Sequence, residues 1–223
     1  MPEFFEELNK IDPIYQKIID KVIIKINNPV LSYYFAYKVE WSNKQKHAEI
    51  VIKSQNVSLN HKFAFQVPGA DAKKHGQVIL DHGSAYENYL YARWVKGADV
   101  LAHEKLVLDS GDDQANFEFA RYVAGADVLK HGQVILDHGS IEWNYKFPKY
   151  VSGANVLAHG KIISEKGSAY DNYLFVRDVA GADVNSHLEA VNQSDDNYIK
   201  ELFVQLFNRP IEEEEEKVIV KVL

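Results

Sequence analysis

Apolar residues recur along this chain at i, i+3, i+4 and i+7, the spacing of a helix with one buried stripe rather than the alternation of a strand. In the stretch 85–112, Asn88, Tyr91, Ala92 and Val95 form one stripe behind Ser84, a good N-cap; Val100, His103 and Val107 form a second behind Asp99. Gly97 is expected to end the first helix in a left-handed conformation, and Gly111 the second. The stretch therefore predicts an αα-hairpin of two helices of about three turns each.

That pattern is repeated. "VPGAD" begins at Val67, "VKGAD" at Val95, "VAGAD" at Val123, "VSGAN" at Val151 and "VAGAD" at Val179, a spacing of 28 residues without a slip. The same phase places His47, His75, His103, His131, His159 and His187, and also Asn60, Asn88, Asn116, Asn144 and Asn172. Carried outward, it sets Val22-Ile23-Ile24 one unit before Ile50-Val51-Ile52, and brings Val218-Ile219-Val220 into register at the other end. A hairpin of this size cannot bury its apolar stripe alone, so units must stack. The expected fold is all-α, an α-solenoid of eight stacked 28-residue αα-hairpin repeats. It would form a single domain over 1–223, with an N-terminal cap repeat at 1–28, six core repeats at 29–196 and a C-terminal cap repeat at 197–223.

Departures from the repeat carry their own expectations. Pro148 stands inside a first helix and should kink it. Gly76, Gly132 and Gly160 stand inside second helices, at about 1 kcal/mol each relative to Ala, which marks places where helices approach closely. The run Glu212–Glu216 reads as the first half of the last second helix, with Asn208 as its cap and Pro210 in its first turn.

The repeated histidines invite a metal or acid–base reading, and geometry opposes the metal. Helix layers pack about 8–10 Å apart, whereas nitrogens sharing a zinc each lie about 2.0–2.1 Å from it. His131 and His138, seven residues apart, are separated by about 10.5 Å along a helix. The alternative is structural: each repeated His lies in the buried stripe one turn after its cap and binds backbone groups of a neighbouring "VxGAD" turn. The repeated Asn would serve the turn at the other end, with no pairing between the two. Rings buried in that way stay neutral. His82 and His138 differ, since they fall in the last turn of a helix, where solvent and a positive charge are favoured.

Composition narrows the function. With no Cys in 223 residues, the chain has no disulfide, no thiolate nucleophile and no cysteine zinc site. A formal charge of −7 argues against general nucleic-acid binding. No apolar run approaches the roughly 18 residues of a membrane span, and the opening "MPEFFEELNK" is acidic where a signal peptide is basic, so a cytoplasmic location is expected. There is no phosphate-binding Gly-rich loop, no G-x-S-x-G, and no motif for a cofactor or a metal. An enzyme is therefore not expected, although His103 near Glu104, or His131 beside a neighbouring unit, could form an acid–base pair that sequence does not reveal.

In a solenoid the varying positions face outward. The slot just before the turn reads Lys38, Gln66, Trp94, Tyr122, Tyr150 and Asp178, and the slot before it reads Tyr37, Phe65, Arg93, Arg121, Lys149 and Arg177. Trp94, Tyr122 and Tyr150 beside Arg93, Arg121, Lys149 and Arg177, with Trp143 two turns from Tyr150, form the expected partner-binding column, because Trp, Tyr and Arg are enriched in interface hot spots. The alternative is that the rings cover helix joints while the cations pair with Glu87, Glu118 or Asp171. The expected partner is a protein. Single-stranded RNA is the second reading, with bases stacking on the rings.

The segments "YLYARWVKGADV", "FEFARYVAGADV" and "YLFVRDVAGADV" resemble the F-A-R-x-V-x-G-A-D-V tandem repeats of poorly characterised proteins of bacteria, phages and other mobile elements. The resemblance covers units two to seven and brings no activity and no catalytic residue. It implies an accessory role, such as a phage-encoded inhibitor of a host protein.

Overall fold

The computed structural model describes residues 2–207; the run Glu212–Glu216 and its expected helix lie outside the described residues. All regular structure among them is helical, and the chain divides into two compact bodies, 1–127 and 128–223. The first body holds α1 (Pro2–Leu8), α2 (Pro13–Ile26), α3 (Pro29–Lys38), α4 (Lys44–Lys53), α5 (Val57–Gln66), α6 (Ala72–His82), α7 (Ala85–Trp94), α8 (Val100–Ser110) and α9 (Asp113–Tyr122). The second holds α10 (Val128–His138), α11 (Ile141–Tyr150), α12 (Val156–Lys166), α13 (Ala169–Asp178), α14 (Val184–Gln193) and α15 (Asn197–Phe207). None is long and apolar enough to cross a membrane.

In each body neighbouring helices pair as hairpins, and the hairpins stack so that first helices pack on first helices and second on second. In the first body α3, α5, α7 and α9 form one layer, with α2, α4, α6 and α8 the other. The second body repeats this with α11, α13 and α15 against α10, α12 and α14. The fold is thus the expected all-α repeat solenoid.

The caps explain where helices start. Ser84 accepts from the Glu87 N–H while Glu87 reaches back to the Ser84 N–H, a reciprocal capping box that recurs at Ser168 and Asp171. Asp71, Asp99, Asn155 and Asp183 cap second helices through their side chains.

The helix ends correct one expectation. Gly97 does not end α7. The helix stops at Trp94, Val95 turns extended, and the Ala98 N–H donates to the Val95 carbonyl at 3.1 Å. Gly97, at φ +87°, therefore supplies the positive φ at the third position of a tight turn that follows the helix. Gly111, at φ +67°, does cap α8 in the left-handed region as expected. Helix α11 runs through Pro148 to Tyr150, with the Val151 N–H still bonded to the Phe147 carbonyl at 2.9 Å.

Close approach at the helical glycines is borne out. A Cβ on Gly160 would stand 3.0 Å from a ring carbon of Phe175 and 3.2 Å from His187 Nε2; at Gly76 the corresponding groups are Tyr91 and His103, and at Gly132 Phe147 and His159. Ala48 fills the same slot of α4, so a methyl group fits with a small adjustment. Gly132→Ala should therefore change stability by less than about 1 kcal/mol, the helix-propensity gain offsetting the tighter contact, whereas Gly132→Val should lose about 1–3 kcal/mol in urea denaturation. Equal midpoints for the two variants would contradict this.

Candidate functional site

The six repeated histidines are fully enclosed, each at no more than 1% exposure. In the sites resolved within one body, each ring lies against the aromatic twelve residues earlier. The centroids are 4.7 Å apart for Phe63 and His75, 4.9 Å for Tyr91 and His103, 5.1 Å for Phe147 and His159, and 4.8 Å for Phe175 and His187.

Contrary to expectation, His does pair with Asn. His75 Nδ1 lies 2.7 Å from Asn60 Oδ1, His103 Nδ1 2.6 Å from Asn88 Oδ1, His159 Nδ1 2.8 Å from Asn144 Oδ1, and His187 Nδ1 2.6 Å from Asn172 Oδ1. Each helix is only ten or eleven residues long, so its fourth residue sits within about 9 Å of the turn, and two facing side chains bridge the remaining offset. The Asn half of the expectation holds. Asn88 Nδ2 donates to the Ile79 carbonyl at 3.2 Å, in the last turn of α6, and to the Ser84 carbonyl at 2.9 Å. Asn60, Asn116, Asn144 and Asn172 make the equivalent bond to the residue nine positions earlier. One amide thereby satisfies an orphan carbonyl of the preceding helix and fixes the next.

This network sets the tautomer. The amide nitrogen is engaged with carbonyls, so Oδ1 must face the ring and Nδ1 must carry the hydrogen. In His75, His103 and His159, Nε2 is buried with no hydrogen-bonding partner. His103 Nε2 and His159 Nε2 face the helical glycine of the preceding unit. A proton added at Nε2 would be stranded there, and burial pushes the three imidazoles down to about 4.

His47 is different. Its Nε2 lies 3.1 Å from Asp20 Oδ1; burial lowers its pKa, and Asp20 opposes that shift. Ser32 stands where later units have Asn, and both Ser32 Oγ and His47 Nδ1 are buried without a hydrogen-bonding partner. Ser32 and His47 share one repeat and Asp20 comes from the repeat before it, but Ser32 and His47 have no exposed surface by which a substrate could reach them. Among the described residues no three His, Cys, Asp or Glu side chains converge on a point where a metal ion would sit. His103 Nδ1–H donates to Asn88 Oδ1, not to Glu104; Glu104 is buried and accepts the Asp127 N–H at 2.6 Å. His82 and His138 are exposed, as expected.

The expected partner column is placed as follows. In the first body Trp94 is 49% exposed and Tyr122 40% exposed. The Arg93 guanidinium is sandwiched between them, 4.4 Å from the Trp94 ring and 4.1 Å from the Tyr122 ring. Arg121 also lies over the Tyr122 ring, at 4.9 Å. In the second body Tyr150 is exposed and Trp143 half-buried, with Lys146 rather than Lys149 over the Trp143 ring at 4.6 Å. Lys149 reaches Asp178 at 2.8 Å, and Arg177 reaches the same carboxylate at 2.6 Å. Asp178 is held well below the usual carboxylate range, first by the Arg177 hydrogen bond, and the two cations are raised in turn.

Two features were missed from sequence. Each cation of the column sits over the aromatic four residues earlier: Arg93 over Tyr89, Arg121 over Phe117, Lys149 over Tyr145 and Arg177 over Tyr173. The i, i+4 aromatic–cation spacing at the same phase was the available signal. The second is Asp178, which takes the carboxylate role expected of Glu87 or Asp171. Those two are engaged as caps.

No protein-family model matches this chain, nor does any curated protein or solved structure.

Proposed function

We propose that this protein is a non-enzymatic repeat scaffold whose α7–α9 surface binds a protein partner. The observation that carries the reading is the Trp94–Arg93–Tyr122 sandwich. Two large exposed rings are held rigid by a guanidinium between them, so little side-chain entropy remains to be lost on binding. The cation–π geometry also keeps Arg93 partly desolvated before any partner arrives. Protein is favoured over single-stranded RNA because an RNA groove depends on cations offered to phosphates, while Lys149 and Arg177 are both already engaged with the Asp178 carboxylate and the chain carries a net charge of −7. The resemblance of the repeats suggests the setting: an accessory protein of a phage or other mobile element, with a host protein as target.

The test is capture from a native lysate by the tagged chain, followed by affinity measurement with the captured protein. Trp94→Ala, Tyr122→Ala and Arg121→Ala combined should weaken binding at least a hundredfold, about 3 kcal/mol, with the melting temperature unchanged. Retained affinity would remove this surface from the function. RNA bound at low salt and released by the same triple substitution would favour the second reading.

A further inference from the structure

Two tyrosines at one phase of the first helices donate to the residue 33 positions later, on the next hairpin: Tyr33 in α3 to Gln66 Oε1 in α5, and Tyr145 in α11 to Asp178 Oδ2 in α13. In the second case a cation joins the group, since Lys149 lies 2.6 Å from the Tyr145 hydroxyl and 2.8 Å from Asp178. Tyr89, Arg93 and Tyr122 are the same three positions in α7 and α9. Arg93 donates to the Tyr89 hydroxyl as Lys149 does to that of Tyr145, but the next hairpin brings the ring of Tyr122 where α13 brings a carboxylate. The Tyr89 hydroxyl turns to Glu118 instead, at 3.5 Å, and among the described residues Arg93 makes no ion pair. Half-buried against the rings of Trp94 and Tyr122, the guanidinium keeps its in-plane rim for hydrogen bonds, and most of the N–H donors on that rim have no acceptor among the described residues.

Taking the α7–α9 surface as the one that binds, we propose that Arg93 receives a carboxylate of the partner, an aspartate or glutamate side chain flanked by an apolar residue that lies on Trp94 or Tyr122. Asp178 is the chain's own example of the contact, one carboxylate on the neighbouring hairpin shared by Lys149 and Arg177. At Arg93 the corresponding oxygen is left for a partner to bring. A planar guanidinium suits it, because its fork matches both oxygens of a carboxylate. The two rings have already displaced part of the water around Arg93, so less desolvation opposes the pair than at an open surface. The same rings, 49% and 40% exposed, call for the apolar neighbour. A net charge of −7 does not oppose an acidic segment here. Charges farther away than about 8 Å are largely screened at physiological salt, and the last turns of α7 and α9 with the residues just after them carry Arg93, Lys96 and Arg121, against Glu118 one turn earlier.

A display library of short random peptides, selected on the full-length chain, tests this. Selected peptides should carry Asp or Glu beside an aromatic or aliphatic residue. In the tightest of them, made synthetically and measured by fluorescence anisotropy, replacing that acid with its amide should weaken binding by about tenfold or more. Toward Arg93→Gln the acidic and amide peptides should bind alike, since a cycle of the two changes isolates their contact. Tyr122→Asp, which copies the Asp178 arrangement, should give Arg93 a carboxylate from within and remove the preference for the acid as well. A library that yields no peptide, an amide peptide that binds as tightly as the acid, or a preference for the acid that survives Arg93→Gln overturns the proposal. So does a uridine oligonucleotide that binds more tightly than every selected peptide, which would place a phosphate at Arg93. Peptides that bind equally well after Trp94→Ala, Tyr122→Ala and Arg121→Ala combined would count against the α7–α9 surface itself, whereas peptides lost with that triple substitution but indifferent to the acid would spare the surface and remove only the carboxylate. The acid-to-amide change is made on the peptide and leaves the protein unmodified, so it decides the matter even if Arg93→Gln lowers the melting temperature.

Discussion

Urea midpoints measured from neutral pH down to about pH 5 should fall steeply, and the loss should trace to the enclosed imidazoles. His75, His103 and His159 titrate near 4 when folded and near the ordinary 6.5 when unfolded. A base with a depressed folded pKa favours the folded state while neutral. Its contribution is complete above about 6.5, and it declines as the unfolded chain gains protons that the folded chain refuses, until the pH passes the folded value near 4. At pH 5 each such ring costs about 2 kcal/mol, so three together remove a large share of the 5–15 kcal/mol typical of a folded domain. His47 and His187 shift in the same direction. His103→Gln keeps a donor toward Asn88 but does not titrate, and should flatten the pH dependence by about the share of one ring. Midpoints equal at both ends of the range would show that the rings are not enclosed in the neutral form.

The second large effect is expected at Asn88. Asn88→Ala removes the acceptor of the His103 Nδ1–H and both carbonyl contacts, at Ile79 and Ser84, inside a joint that water does not reach. Leaving those groups bare should cost about 2–4 kcal/mol. Asn88→Asp keeps the acceptor but sets a carboxylate against two carbonyl oxygens, and should be destabilised as well. Hydrogen exchange would locate the damage at the end of α6 and the start of α7. A loss below about 1 kcal/mol for both variants would mean that the amide is not the link between those helices.

The sequence made much of this architecture readable. The 28-residue phase, the capping residues Ser84, Asp99 and Asn155, and the close packing at Gly76, Gly132 and Gly160 all follow from rules that act within one helix or one turn. What escaped prediction lies between elements. Whether His103 meets Asn88 depends on how far two short helices are offset in a hairpin, and periodicity along one helix carries no information about that offset. Placing Asp178 as the acceptor for Lys149 and Arg177 required the step from one hairpin to the next, which is a property of packed layers. The candidate surface was only half visible for the same reason. Trp94, Arg93 and Tyr122 stood out by residue type, while their sandwich needs α7 and α9 side by side.

The bond from each repeated asparagine to the preceding hairpin also governs how the chain comes apart. A hairpin in the middle of either body cannot loosen without baring a carbonyl on the hairpin behind it, whereas one at a margin has a single such tie. Unravelling therefore starts at margins and moves inward one module at a time, and a protease would shorten this protein in steps of whole repeats rather than cut it at random.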